Sequence, residues 1–164
     1  GGEKLRQLED HKQAVTTVDY HPKGMEFASG SRDNTIKLWK RNGEFIRSLE
    51  GHGDYVWSVR FTPDGKYLAS CSKDMTVRIW STETWQTIRT LRGHGGDLWA
   101  LAVSPDGRHL ATAGREGIIY LWTLDGKLVR KLVGHRGGIV ALAFSRNGLT
   151  LASGSLDGTV IIWR

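Results

Sequence analysis

Residues 51–80 read GHGDYVWSVRFTPDGKYLASCSKDMTVRIW, and this stretch decides the fold. Tyr55 to Phe61 is a strand-like run rich in β-branched and aromatic residues, and Thr62-Pro63-Asp64-Gly65 has the composition of a tight turn. Tyr67 to Ser70 begins a second strand, so the two runs form a hairpin. Thr76 to Trp80 alternates as a third strand, and Thr87 to Leu91 supplies a fourth.

The same grammar recurs along the whole chain. His11, His52, His94 and His135 are separated by 41, 42 and 41 residues, and Trp39, Trp80, Trp122 and Trp163 keep those intervals. The turn glycines Gly24, Gly65, Gly107 and Gly148 run in phase, as do Asp33, Asp74, Glu116 and Asp157. A fixed period of this length is the signature of a repeat architecture, and four antiparallel strands per period make the blade of a propeller. The expectation is an all-β chain of four four-stranded blades, spanning 10–49, 50–91, 92–132 and 133–164, with 4–9 as a spare outer strand. Gly1 to Glu3 belong to no repeat and are read as a cloning scar.

The residues resemble the WD-repeat β-propellers. The resemblance rests on Gly51-His52, Gly93-His94 and Gly134-His135, on the hairpin Ser104-Pro105-Asp106-Gly107, and on Leu151-Ala152-Ser153-Gly154-Ser155 leading to Trp163. It covers Lys4 to Arg164. The aspartate after tryptophan that names the family is Lys40, Ser81, Thr123 and Arg164 here. Asp10-His11 replaces Gly-His in the first repeat, and Gly114 and Glu116 stand where the sister repeats have Ser and Asp, so the third blade is expected to be the least well tied. The resemblance implies a buried hydrogen-bond tetrad in each blade: His11, Ser29, Asp33 and Trp39; His52, Ser70, Asp74 and Trp80; His94, Thr112, Glu116 and Trp122; His135, Ser153, Asp157 and Trp163.

Those sets contain Ser or Thr, His and an acid, the ingredients of hydrolytic triads. Nucleophilic catalysis also needs an exposed hydroxyl, an oxyanion hole and a cleft, and no Gly-x-Ser-x-Gly turn provides them. A set made four times over points to structure, because leaving a buried polar group unpaired costs about 1–3 kcal/mol. No catalytic residue is assigned. Metal and cofactor sites are not expected either: there is no His-x-x-x-His pair, Cys71 is the single cysteine, and His21 and His109 read as turn and strand surface residues.

The net charge of +6 invites a nucleic-acid reading. However, Arg6, Arg47, Arg89 and Arg130 occupy one equivalent position per repeat, which distributes charge instead of gathering it. Nucleic acid is therefore disfavoured as a partner. No apolar run reaches the roughly 18 residues of a membrane span, and the N-terminus lacks the apolar stretch of a signal peptide. With its lone cysteine, the chain is expected in the cytoplasm or another intracellular, reducing compartment.

Two expectations concern partners. Lys4 to Leu8 aligns with the fourth strands of the repeats, whereas the chain stops at the end of a third strand. Family members close their rings with about seven or eight blades, so the last blade is expected to be completed by the N-terminal strand of a second chain. That makes a homodimer forming one eight-bladed ring; the alternatives are a four-bladed closed monomer and an excised piece of a longer chain. The family docks protein or peptide ligands on the narrow top face, which transfers to Thr16, Arg32, Tyr55, Trp57, Lys73, Asp97, Trp99 and Arg115, with Ala14, Gly138, Val140 and Leu156 at the remaining equivalent positions. Trp57 and Trp99 stand out as tryptophans outside the repeated position with basic neighbours, the composition of an interaction hot spot. The function expected is a non-catalytic protein or peptide scaffold, self-assembling as a half-propeller; the alternative is a structural assembly module, natural or engineered, with no ligand.

Overall fold

The computed structural model describes residues 2–164; Gly1, read above as part of a cloning scar, lies outside them. The described residues form strands and turns with no helix. The first sheet comprises β1 (Val15–Tyr20), β2 (Glu26–Ser31), β3 (Ile36–Lys40) and β4 (Phe45–Leu49). The second comprises β5 (Val56–Phe61), β6 (Tyr67–Ser72), β7 (Val77–Ser81) and β8 (Thr87–Leu91), and the third β9 (Leu98–Val103), β10 (His109–Gly114), β11 (Ile118–Thr123) and β12 (Leu128–Val133). The fourth holds only β13 (Ile139–Phe144), β14 (Leu151–Ser155) and β15 (Val160–Trp163). Each is an antiparallel meander in sequence order. The first three are thus four-stranded blades, and the fourth is a three-stranded one.

Turn chemistry sets these hairpins. In the first hairpin of the second blade, the Gly65 N–H donates to Thr62 O at 2.8 Å, with Gly65 at φ 71° where a β-carbon would be strained. The turn between second and third strands places Asn34, Met75, Gly117 and Gly158 in the left-handed region at one equivalent position. Met75, an unbranched apolar residue, is the least suited to that conformation.

Blades stack through their inner strands in the order β1, β5, β9, β13, and among the described residues no such joint links the fourth blade back to the first. The first joint packs Ala28, Ile36 and Leu38 of one blade on Val56, Val59, Phe61 and Leu68 of the next. The second and third joints repeat this with Ala69, Val77 and Ile79 on Leu98, Leu101 and Leu110, then Ala111, Ala113 and Ile119 on Ile139 and Leu151. The first joint adds polar latches. The Thr16 hydroxyl donates to Val56 O, the Val59 N–H to Thr17 Oγ1 at 3.3 Å, and the Phe61 N–H to Asp19 Oδ2 at 2.7 Å. His21 belongs to this joint, with Nε2 3.0 Å from Gly65 O and its ring edge-on to Phe61, so the reading of it as a turn surface residue is corrected.

The two ends carry joint faces with nothing on them. Val18 is 53% exposed, whereas its equivalents Val59 and Leu101 are 0% and 2% exposed. Val160 and Ile162 are each 73% exposed, whereas Ile36 and Leu38 at those positions are 0% and 1% exposed. Each such aliphatic side chain left in water forgoes about 1.5–3 kcal/mol of burial. The segment 4–9 forms no strand within the single chain; its Arg6 and Leu8 side chains lie against the β3–β4 turn at Gly43, as Arg89 and Leu91 of β8 lie against Gly126 of the following blade. An outer strand exists only by pairing with a third one: β3 is already taken by β4, and the open third strand, β15, belongs to the fourth blade, which packs on the third.

Replacing Met75 by glycine removes the left-handed penalty at an exposed site. The thermal midpoint of Met75→Gly is expected to rise, corresponding to about 1 kcal/mol, in a calorimetric scan against the parent.

Candidate functional site

The four tetrads close as one hydrogen-bond circuit each. In the first, His11 Nδ1 lies 2.8 Å from Asp33 Oδ2, His11 Nε2 lies 2.7 Å from Ser29 Oγ, and the Trp39 indole N–H donates to that same Ser29 Oγ at 2.8 Å. The roles follow from satisfiability. A carboxylate only accepts, so Nδ1 carries the proton; Nε2 then accepts the serine O–H, whose oxygen accepts from the indole. The second blade reproduces this with His52, Asp74, Ser70 and Trp80 at 2.8, 2.7 and 2.9 Å. The fourth does so with His135, Asp157, Ser153 and Trp163 at 3.1, 2.7 and 2.8 Å.

Each acid also ties its loop. Asp74 accepts from the Gly53 N–H at 2.9 Å, the Thr76 N–H at 2.9 Å and the Thr76 hydroxyl at 2.7 Å. Burial opposes the charge on Asp33 and Asp74, but hydrogen bonds from His11 and Thr35, or His52 and Thr76, outweigh it and hold both well below the usual carboxylate range. On Asp157 the Thr159 hydroxyl leads, followed by the Arg136 N–H.

The third tetrad runs through a longer acid. His94 Nδ1 lies 2.6 Å from Glu116 Oε1, Nε2 lies 2.8 Å from Thr112 Oγ1, and the Trp122 N–H donates to Thr112 Oγ1 at 2.9 Å. Ile118 stands where the other blades have a threonine to bind the acid, so Glu116 lacks those two bonds. Tyr120 compensates: its ring lies 3.7 Å from the His94 ring, and its hydroxyl donates to Gly93 O while accepting from Lys131 Nζ. Burial pushes His94 down despite Glu116, so the imidazole stays neutral. The third blade is tied by different contacts rather than left slack.

This wiring has the connectivity of a hydrolytic triad and the wrong surroundings for one. Ser29, Ser70, Thr112 and Ser153 are all buried, and the indole N–H occupies the oxygen that a nucleophile would need free. Cys71 is fully buried, and burial pushes its thiol up to about 12, away from nucleophilic chemistry. Among the described residues, no three His, Cys, Asp or Glu side chains gather as metal ligands.

The top face is where side chains remain available. A β-bulge interrupts the ladder between each inner strand and its neighbour, at Thr16, Trp57, Trp99 and Val140, and re-aims the extra residue. Arg32, Tyr55, Trp57, Lys73, Asp97 and Trp99 line one open cleft of about 590 Å³ together with Val140 and Leu156. The Arg32 guanidinium sits 5.2 Å from the Trp57 ring and 5.8 Å from Tyr55, and Lys73 Nζ sits 4.7 Å above Tyr55. Trp99 lies across Gly138, where a β-carbon would come within 2.3 Å of the indole.

Four segments, residues 2–40, 43–81, 85–123 and 126–164, match the WD domain, G-beta repeat. The chain belongs to that family. Curated relatives match it over short stretches. Eukaryotic translation initiation factor 3 subunit I from Pyricularia oryzae is 49% identical over 39 residues, which is 24% of this chain and 11% of the relative. The same subunit from Neurospora crassa is 46% identical over 39 residues, again 24% and 11%. Set1 complex component swd2 from Schizosaccharomyces pombe is 51% identical over 35 residues, 21% of this chain and 10% of the relative. The matches thus span about a tenth of each relative.

Two expected top-face residues do not line this cleft. Thr16 spends its hydroxyl on the first joint and lines an adjoining opening with Trp57, Trp99 and Val140, and Arg115 is exposed beside Gly96. The support that Gly138 gives Trp99 has no sequence signal of its own, since the equivalent positions hold Ala14, Tyr55 and Asp97 and the repeat prescribes no residue type there.

The tetrads set a pH profile. The stabilisation from Asp33, Asp74 and Asp157 is present above the unfolded carboxylate value of 3.8 and is lost as pH falls below it. That from neutral His94 is present above 6.5 and is lost as pH falls through that value. Urea midpoints are expected to decline gently below pH 6.5 and steeply below about 4; a profile flat to pH 3 contradicts the wiring. Trp80→Phe, which removes the N–H together with part of a buried indole ring, is expected to cost more than about 1 kcal/mol in the same titration.

Proposed function

We propose that the chain is a non-catalytic scaffold that holds a protein or peptide on its top face and assembles with a second copy as a half-propeller. The observation that supports it is the cleft that joins six of the expected top-face residues around two half-buried tryptophans. Buried aromatic anchors with charged residues at the rim are the composition of a binding hot spot, and a rigid sheet framework keeps them organised before a ligand arrives. The names of the relatives, a subunit and a complex component, describe parts of assemblies and agree with this reading.

Self-assembly is favoured by the two bare joint faces. Val15, Val18 and Tyr20 on the first blade and Val160 and Ile162 on the fourth are the two halves of the contact made three times inside the chain. A second copy supplies each half with its complement around a two-fold axis, giving eight blades, and 4–9 then becomes the outer strand beside β15 of the other copy. A second reading, an assembly module whose end faces are its only working surface, draws on the same exposure.

Two measurements separate these. Light scattering after size exclusion should give twice the 18.3 kDa chain mass, and Ile162→Asp should return it to one chain; a sharp monomer for the parent ends the half-propeller reading. A peptide array probed with the parent and with Trp57→Ala/Trp99→Ala should show binding that the folded double variant loses. A blank array with a doubled mass favours the assembly module.

A further inference from the structure

The cleft between Trp57 and Trp99 is chemically graded across the blades. Its first-blade side holds Arg32, which lies over two aromatic rings with no carboxylate within ion-pairing distance among the described residues. Its second-blade side holds Lys73, 3.4 Å from Asp54 in a half-exposed pair that leaves its other donors free. The third blade contributes Asp97, an anion, and the fourth contributes Val140 and Leu156, 48% and 68% exposed. Cations, then aromatic rings, then an acid and an aliphatic wall follow one another from the first blade to the fourth.

We propose that the cleft binds an extended acidic–apolar peptide segment, its carboxylates over the first two blades and its apolar side chain over the last two. This rests on the reading of the top face as the binding surface and adds the ligand class and its orientation. The guanidinium of Arg32 is held by the Trp57 and Tyr55 faces, so its planar fork is ordered in advance for a carboxylate. Lys73 adds a second positive charge on the same side. Asp97 repels an acid placed further along and thereby fixes which end of the segment is acidic. Beyond it, Trp99, braced on Gly138, joins Val140 and Leu156 as an apolar seat for a leucine or phenylalanine.

The test uses dye-labelled eight-residue peptides carrying two adjacent aspartates, a two-residue spacer and a leucine, made in both sequence orders, with lysines replacing the aspartates in control peptides. Fluorescence anisotropy with the parent chain should show an aspartate peptide binding at least tenfold more tightly than its lysine counterpart. Arg32→Glu, at an exposed side chain, should invert that preference. Gly138→Ala, which pushes Trp99 from its seat, should weaken the aspartate peptide at least fivefold while the charge preference stays. A preference for the lysine peptides, or one untouched by Arg32→Glu, overturns the ligand class, and loss of binding in Trp57→Ala/Trp99→Ala then keeps the top-face reading. Binding unchanged in that double variant overturns both. No binding at millimolar peptide overturns the ligand class outright.

Discussion

An imidazole bonded at both nitrogens is the constraint on which each blade depends. It joins the loop before the inner strand to the turn between the second and third strands through the acid, and to the middle of the blade through Ser or Thr. Since Nδ1–H must face an acceptor and Nε2 a donor, one tautomer satisfies every polar atom, and any slip of the loop breaks several bonds together. The loops carrying the exposed top-face residues therefore sit on a rigid frame, although they are surface segments.

Much of this was legible in the sequence because the same physical problem is solved four times. Where His, Ser or Thr, acid and Trp repeat in phase, the tetrad is readable even with Glu116 substituted, since carboxylate chemistry is kept and only the reach changes. The sheet order followed from Pro63-Asp64-Gly65 and its sisters. Segment 4–9 was legible only as an outer strand of the repeat, because pairing is a property of an edge and not of the segment that fills it. His21 was unreadable for a related reason: its partner Gly65 lies in the adjacent blade, and nothing local marks a cross-blade bond.

The candidate site was partly legible. Positions beside the bulge and before the acid can be counted from the repeat, which located Arg32, Tyr55, Trp57, Lys73, Asp97 and Trp99. Counting gives no direction to a side chain, however. Thr16 occupies the same register position as Trp57, yet its short hydroxyl reaches backbone carbonyls and is consumed in the joint. A large ring has no such option and projects into the open cleft.

The bulges have a wider consequence. Thr16, Trp57, Trp99 and Val140 are each skipped by the cross-strand ladder, so none has a register partner whose size or polarity it must match. Substitution there is decoupled from strand pairing in a way that no neighbouring position allows. Where the bulge residue is not recruited into a joint, as Thr16 is, each repeat thus contributes to a shared surface one letter that strand pairing does not dictate, and duplicating a repeat repeats that freedom without rewriting the ladder beneath it.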